Sequence, residues 1–206
     1  MNKAVVKDAM ILTIITLIAG LLLGFVHEIT LEPIALANYN IQQNAYREVF
    51  ADADSFEEVE DFDSEEATSL ISADFPDDTI DGLVSANDAD GNLMGYVITI
   101  TSSAGYGGDI TLSIGMQMDG TLNGYSITSI SETAGLGMKA KEEAFYSQFE
   151  GINETYLEVT KTGSTSSAEI DAISGATITS KAVTYAVDAG IEYFNTNLSE
   201  GGSENE

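Results

Sequence analysis

Residues 9 to 26, AMILTIITLIAGLLLGFV, run for eighteen positions without a charge. As a helix rising 1.5 Å per residue this stretch is about 27 Å long, close to the roughly 30 Å of a bilayer's hydrocarbon core. Such a segment must be cleaved off, buried or kept in a membrane. A cleaved secretory signal has an apolar region of only about 7–15 residues. The one small-x-small site, Ala35-Leu36-Ala37, lies past Glu28, Glu32 and Pro33. A retained anchor is therefore expected, spanning the cytoplasmic membrane once. Lys3 and Lys7 precede the span and acidic residues follow it. By the positive-inside rule residues 1–8 are cytoplasmic and the body of the protein lies outside.

The body is strongly acidic. Its 34 Asp and Glu against 7 Lys and Arg give a net charge of −27, which disfavours nucleic acid as a partner because phosphate binding needs basic side chains to displace counterions. The absence of Cys excludes disulfides, thiolate-held zinc, protein-held iron–sulfur clusters and a cysteine nucleophile. A single His, His27, leaves no basis for a histidine metal centre or a Ser–His–Asp triad.

Beyond the span, Ile34, Asn38, Ile41, Ala45 and Val49 recur at helical spacing, so residues 27–81 are expected to open with a membrane-proximal helix. Residues 51–81 hold thirteen Asp and Glu and no basic residue. They read as a solvated linker or surface elaboration, without a complete D-x-D-x-D-G calcium loop. From Gly82 the texture is β. GLVSA and LMGYVITITS flank NDADGN, and DITLSIGMQM and LNGYSITSI flank DGT, two hairpin patterns. A helix is expected in KAKEEAFYSQFEG and a strand in TYLEVTKT. A final helix starts near Thr179, with Val183, Val187, Ile191, Phe194 and Leu198 on one face. The predicted class is α+β: an antiparallel sheet with packed helices over 82–198, behind an N-terminal transmembrane helix, with a disordered tail at 199–206.

The loop before that final helix, DAISGATITSKAV, gathers Ser174, Thr177, Thr179 and Ser180 around Gly175, Ala176 and Lys181. One reading is structural: Thr179 or Ser180 caps the helix and Gly175-Ala176 turn the chain. The other is an anion site, since free N–H groups and the macrodipole at a helix start favour phosphate. Neither a Walker A sequence nor a β-lactamase S-x-x-K is present. Of the five basic residues beyond the span, Lys139, Lys141 and Lys181 sit in or beside this loop and SETAGLGMK. That placement suggests local compensation for a bound anion, with surface solubility as the alternative.

Asp171 to Thr177, D-A-I-S-G-A-T, resembles the flavinylation signature D-x-x-[ST]-G-A-[TS] of the FMN-binding domain family. Glu132, Thr133, Ala134, Gly135, Leu136 and Gly137, followed by Lys139, resemble that family's E-T-P-G-L-G-x-K loop, with Ala134 in place of Pro. Tyr106-Gly107-Gly108 resembles its G-Y-G-G segment. One span followed by E-x-x-x-E-P-I-A is also similar to the start of the G subunits of Rnf-type electron-transport complexes.

The resemblance implies covalent FMN on Thr177 through a phosphoester, attached by a separate FAD-dependent flavin transferase. Ser174, Gly175, Ala176, Thr179 and Ser180 would surround the phosphate. Glu132, Thr133, Gly135, Leu136, Gly137, Tyr106 and Gly107 would shape the ring site, and Lys139 would lie near the reduced flavin's negative charge. Asp171 would fix the loop or position metal or FAD during attachment. The implied function is electron relay inside a ferredoxin:NAD oxidoreductase that moves Na⁺ or H⁺, with other membrane subunits as partners and no catalytic residue of its own. The C subunit of a sodium-pumping NADH:quinone reductase is the near alternative. An extracellular module binding a ligand reversibly is the alternative from another class.

Overall fold

The computed structural model describes residues 3–199. The chain divides into two compact units, Met1–Gln42 and Gln43–Glu206. Helix α1 (Lys3–Val49) forms the described part of the first and its last turns belong to the second. It is long and apolar enough to cross a membrane, and none of its apolar span is buried. Two hydroxyls within that span bond the helix's own carbonyls, Thr13 to Ala9 at 2.9 Å and Thr16 to Thr13 at 3.0 Å. No polar group there needs water as a partner, as a hydrocarbon setting requires. The span and the expected membrane-proximal helix are one continuous element. Pro33 lies inside it, where the ring removes one helical N–H donor and crowds the carbonyl of residue i−4.

The second unit is built on an antiparallel meander, β1 (Ser55–Glu58), β2 (Asp78–Asn87), β3 (Leu93–Ser102), β4 (Ile110–Gln117) and β5 (Leu122–Ser129), in that spatial order. The Asp-Gly turns fall where the alternation of β-branched residues breaks, and both expected hairpins form, with Ala86 opposite Gly95 and Met116 opposite Leu122. The period of two sorts β3 onto two cores. Val97 joins Tyr46, Val49 and Phe50 from the end of α1. Ile98 and Ile100 join the larger cluster under α4 (Thr177–Asn197). The carbonyl of Val49 accepts from Asn123 Nδ2 at 2.8 Å, and Glu48 accepts from Ser126 Oγ.

Three expectations change. The acidic stretch 51–81 is no linker: it contributes β1, helix α2 (Ser64–Ile71) and the start of β2, four residues ahead of the expected boundary at Gly82. Asp63 Oδ1 caps α2 by accepting from the N–H groups of Glu65 and Glu66 at 2.9 and 3.0 Å. Ala67 and Ile71, one turn apart, are buried, so the acids simply occupy its wet side. The helix expected over 139–151 is broken into a 3₁₀ turn (Gly137–Lys141), one α-turn α3 (Glu143–Tyr146) and a second 3₁₀ turn (Ser147–Phe149). Glu142 is extended, and Tyr125 donates to the Ala140 carbonyl at 2.7 Å while stacking edge-on with Phe149. The strand in 155–162 shrinks to β6 (Glu158–Thr160), paired in parallel with β7 (Glu169–Asp171). Of the expected tail at 199–206, all but Ser199 lies outside the described residues.

Helix α4 lies against the sheet at Gly190. A Cβ there would meet the Cδ1 of Ile114 and stand 3.0 Å from that of Ile100. Gly190→Ala is therefore expected to destabilise the domain by about 1–3 kcal/mol despite Ala's better helix propensity. A denaturant midpoint at or above that of the wild type would contradict this packing.

Candidate functional site

Three connections meet at the start of α4: the one from β3 to β4, the one after β5, and the one from β7 to α4. They enclose a cavity of about 510 Å³. Its lining includes nine residues singled out from the sequence: Tyr106; Glu132, Thr133, Leu136 and Gly137; Gly175, Ala176, Thr177 and Thr179.

Glu132 joins the first two connections. It is buried, and its Oε1 accepts the Gly107 N–H at 3.0 Å. Gly137 joins the second to α4. A Cβ on it would stand 2.6 Å from both Glu132 Oε2 and Thr179 Oγ1, so only glycine allows this approach. Gly175, at φ +80°, brings the third connection over Leu136, whose Cδ2 would lie 3.1 Å from a Cβ at that position. Left-handed φ at no steric cost is what glycine supplies.

The chain turns at Gly175 as expected, but the helix start differs from the expected cap. Helix α4 begins at Thr177, two residues early, its N-cap is Ala176, and no side chain caps it. Thr179 and Ser180 lie inside the first turn and are buried. Ser180 Oγ instead accepts the Ile173 N–H at 2.9 Å and donates to the Ala176 carbonyl at 3.0 Å, locking the loop's shape from beneath. No protein acceptor reaches the N–H groups of Thr177, Ile178 or Thr179 among the described residues. These orphan donors and the dipole of a 21-residue helix converge on one end of the cavity.

Six expected residues do not line it. Gly107 is held through Glu132, and Gly135 and Ser174 are exposed on their loops. Ser180 is buried beneath, and Lys139 stands half-buried in the 3₁₀ turn after Leu136. Asp171 ends β7, its N–H donating to Gln148 Oε1 at 2.7 Å and its carboxylate accepting from Ser164 at 3.3 Å. Conversely, Ile178 lines the cavity although sequence reasoning passed over it. Its position off the buried stripe of α4, with half its surface exposed, is the signal that could have found it.

The match to the FMN-binding domain covers residues 105–192, which hold every residue lining the cavity. Over 200 residues the chain is 34% identical to the G subunit of the Na⁺-translocating ferredoxin:NAD⁺ oxidoreductase complex of Acetobacterium woodii, covering 96% of this chain and 95% of that one. It is 34% identical over 185 residues to the G subunit of the proton-translocating complex of Clostridium ljungdahlii, covering 90% and 89%. The chain belongs to this family of G subunits. Its fold is that of NqrC from Shewanella oneidensis, with a TM-score of 0.50 at 20% identity over 73% of this chain and 85% of that one.

The residues present suit FMN. Tyr106, Leu136 and Ile178 offer exposed apolar surface at the cavity, as a planar ring needs. The uncapped helix start offers N–H donors to a phosphate. A volume of about 510 Å³ lies in the range that holds one small ligand.

Proposed function

We propose that this chain is the membrane-anchored flavoprotein subunit of an Rnf-type ion-translocating ferredoxin:NAD oxidoreductase, with FMN joined to Thr177 through a phosphoester. The observation that carries this reading is the meeting of both motif loops at the uncapped start of α4, with Thr177 as its first residue. In attachment, the Thr177 hydroxyl takes the flavin mononucleotide phosphoryl group from FAD on a flavin transferase. The pyrophosphate bond breaks, and AMP and the hydroxyl's proton leave. Held there, FMN supplies reversible electron transfer.

The chain's own residues bind and orient. The N–H groups of the first turn of α4 and its dipole stabilise the phosphodiester's negative charge. Leu136 and Ile178 keep water off the ring, and Gly137 and Gly175 keep the two loops close enough to do so. Ser180 holds the loop in shape from below. Lys139 and Lys181 put positive charge on the two segments flanking the cavity, and Asp171 fixes the approach to the loop through Gln148.

The reading also sets a topology: N-terminus inside, FMN domain outside. Protease added to spheroplasts is expected to remove the domain and spare an N-terminal tag. Protection of the domain in right-side-out membranes would contradict this orientation. The assignment to a complex is tested by solubilising membranes mildly and isolating the tagged chain. Co-isolation of the other oxidoreductase subunits is expected, and isolation alone from cells expressing all of them would overturn it.

A further inference from the structure

A second cavity, of about 540 Å³, shares no lining residue with the first. Its walls are aromatic and acidic: Phe75, Tyr156 and Tyr185, with Asp74 and Glu192. Tyr185 and Glu192 stand two turns apart on one face of α4. Between them lies Asp188, 1% exposed, whose Oδ1 accepts the N–H of Leu157, the residue after Tyr156, at 2.9 Å. Its Oδ2 has no hydrogen-bond partner. Asp78, also buried, has an unpartnered Oδ1, and its N–H donates to the Phe75 carbonyl at 3.2 Å. Each wall of the cavity is thus tied along the chain to a buried carboxyl group with one oxygen unpartnered.

The charge here is all of one sign. No Lys, Arg or His lines the cavity, and neither Asp74 nor Glu192 has an ion-pair partner among the described residues. Burial first, then Tyr185, Asp188 and Glu158, pushes the pKa of the Tyr156 hydroxyl above its ordinary value. Aromatic faces beside carboxylates attract a cation: the ring quadrupoles and the acids act together, and a planar guanidinium can stack on tyrosine while it pairs with carboxylate. A second copy of this chain is a poor donor, with only five basic residues beyond the span and a net charge of −27.

We propose that this cavity receives a basic side chain, arginine or lysine, from another subunit of the complex. The inference rests on the reading that the chain works within such a complex, and it adds where and how a partner holds it. The site is separate from the FMN cavity, so docking here leaves the electron-transfer site uncovered.

The test uses the full-length chain expressed with its complex, with p-benzoylphenylalanine at position 185. Irradiation of membranes is expected to link that position to another subunit, within about one helical turn of an Arg or Lys. The double variant Asp74→Lys, Glu192→Lys, in two exposed side chains, is expected to lower recovery of the complex about tenfold. Reversing the linked partner residue to Glu should restore it. A link only to lipid or to a second copy, or no link in an intact complex, would overturn the proposal. So would wild-type recovery of the double variant. Where the double variant melts well below the wild type, the photo-link alone decides. Failure of the unmodified chain to co-isolate with any subunit would instead overturn the reading beneath, and this inference with it.

Discussion

Thr177→Ala, expressed with a flavin transferase, is expected to lose all flavin fluorescence on a denaturing gel, while Thr179→Ala and Ser180→Ala keep it. The three hydroxyls lie within four residues, but the structure separates them. Thr177 is half-buried, is the first residue of α4 and lines the cavity. Thr179 is 1% exposed beneath Gly137, and Ser180 is fully buried, engaged with Ile173 and Ala176. Thr179 also lines the cavity, but it is buried with its oxygen against Gly137, and the Ser180 oxygen is taken up by two hydrogen bonds, so Thr177 is the least buried of the three. Ser180→Ala removes an acceptor from the buried Ile173 N–H, so about 1–3 kcal/mol of stability should go with it. Its band should still fluoresce. A fluorescent Thr177→Ala band would show that another residue carries the flavin.

The second large effect is on stability and lies away from the flavin. Burial pushes the carboxyl of Asp188 up to about 8, opposed in part by the Leu157 N–H and reinforced by Asp78. Burial likewise pushes Asp78 up to about 6, opposed in part by the Ser102 hydroxyl and reinforced by Asp77. In the unfolded chain both ionise near 3.8. Between about pH 4 and pH 8 the folded protein therefore holds protons that the unfolded chain has released, and its stability falls as pH rises through that window. At about 1.4 kcal/mol per pKa unit, the rise of Asp188 from 3.8 to about 8 is worth about 6 kcal/mol across it.

Asp188→Asn keeps an oxygen for Leu157 and removes the ionisation. It should melt higher than the wild type at pH 8 and show little of that advantage at pH 4. General repulsion among the acids steepens both profiles alike, so the difference between them reports on this site. Parallel melting profiles for the two proteins from pH 4 to 8 would contradict the account.

What could be read from the sequence was local. The Asp-Gly turns with β-branched flanks announced two hairpins, and the spacing of Val183, Val187, Ile191 and Phe194 announced α4. The acidic stretch was misread because thirteen charges in 51–81 outweighed a two-residue stripe, Ala67 and Ile71, behind the cap at Asp63. The break over 137–149 depends on Tyr125, far back in the chain, gripping Ala140 and packing on Phe149. No local pattern encodes that. Likewise β6 and β7 are three residues each and exist by pairing across a loop.

At the site the structure brings the two motif loops to one cavity, yet the motifs could not say that Gly137 would be wedged between Glu132 and Thr179. Nor could they say that Ser180 would act from beneath or that Ile178 would face the cavity. Those facts come from tertiary contact, where hydroxyls in one short run acquire different surroundings.

The most direct test is the mass of one peptide. Trypsin cutting after Lys161 and Lys181 releases residues 162–181, which contain Thr162, Thr165, Thr177 and Thr179. From protein matured with a flavin transferase, this peptide should be heavier by FMN less one water, and fragmentation should confine the addition to Thr177. An unmodified peptide from yellow protein, or the same addition on any other residue, would contradict the assignment of Thr177.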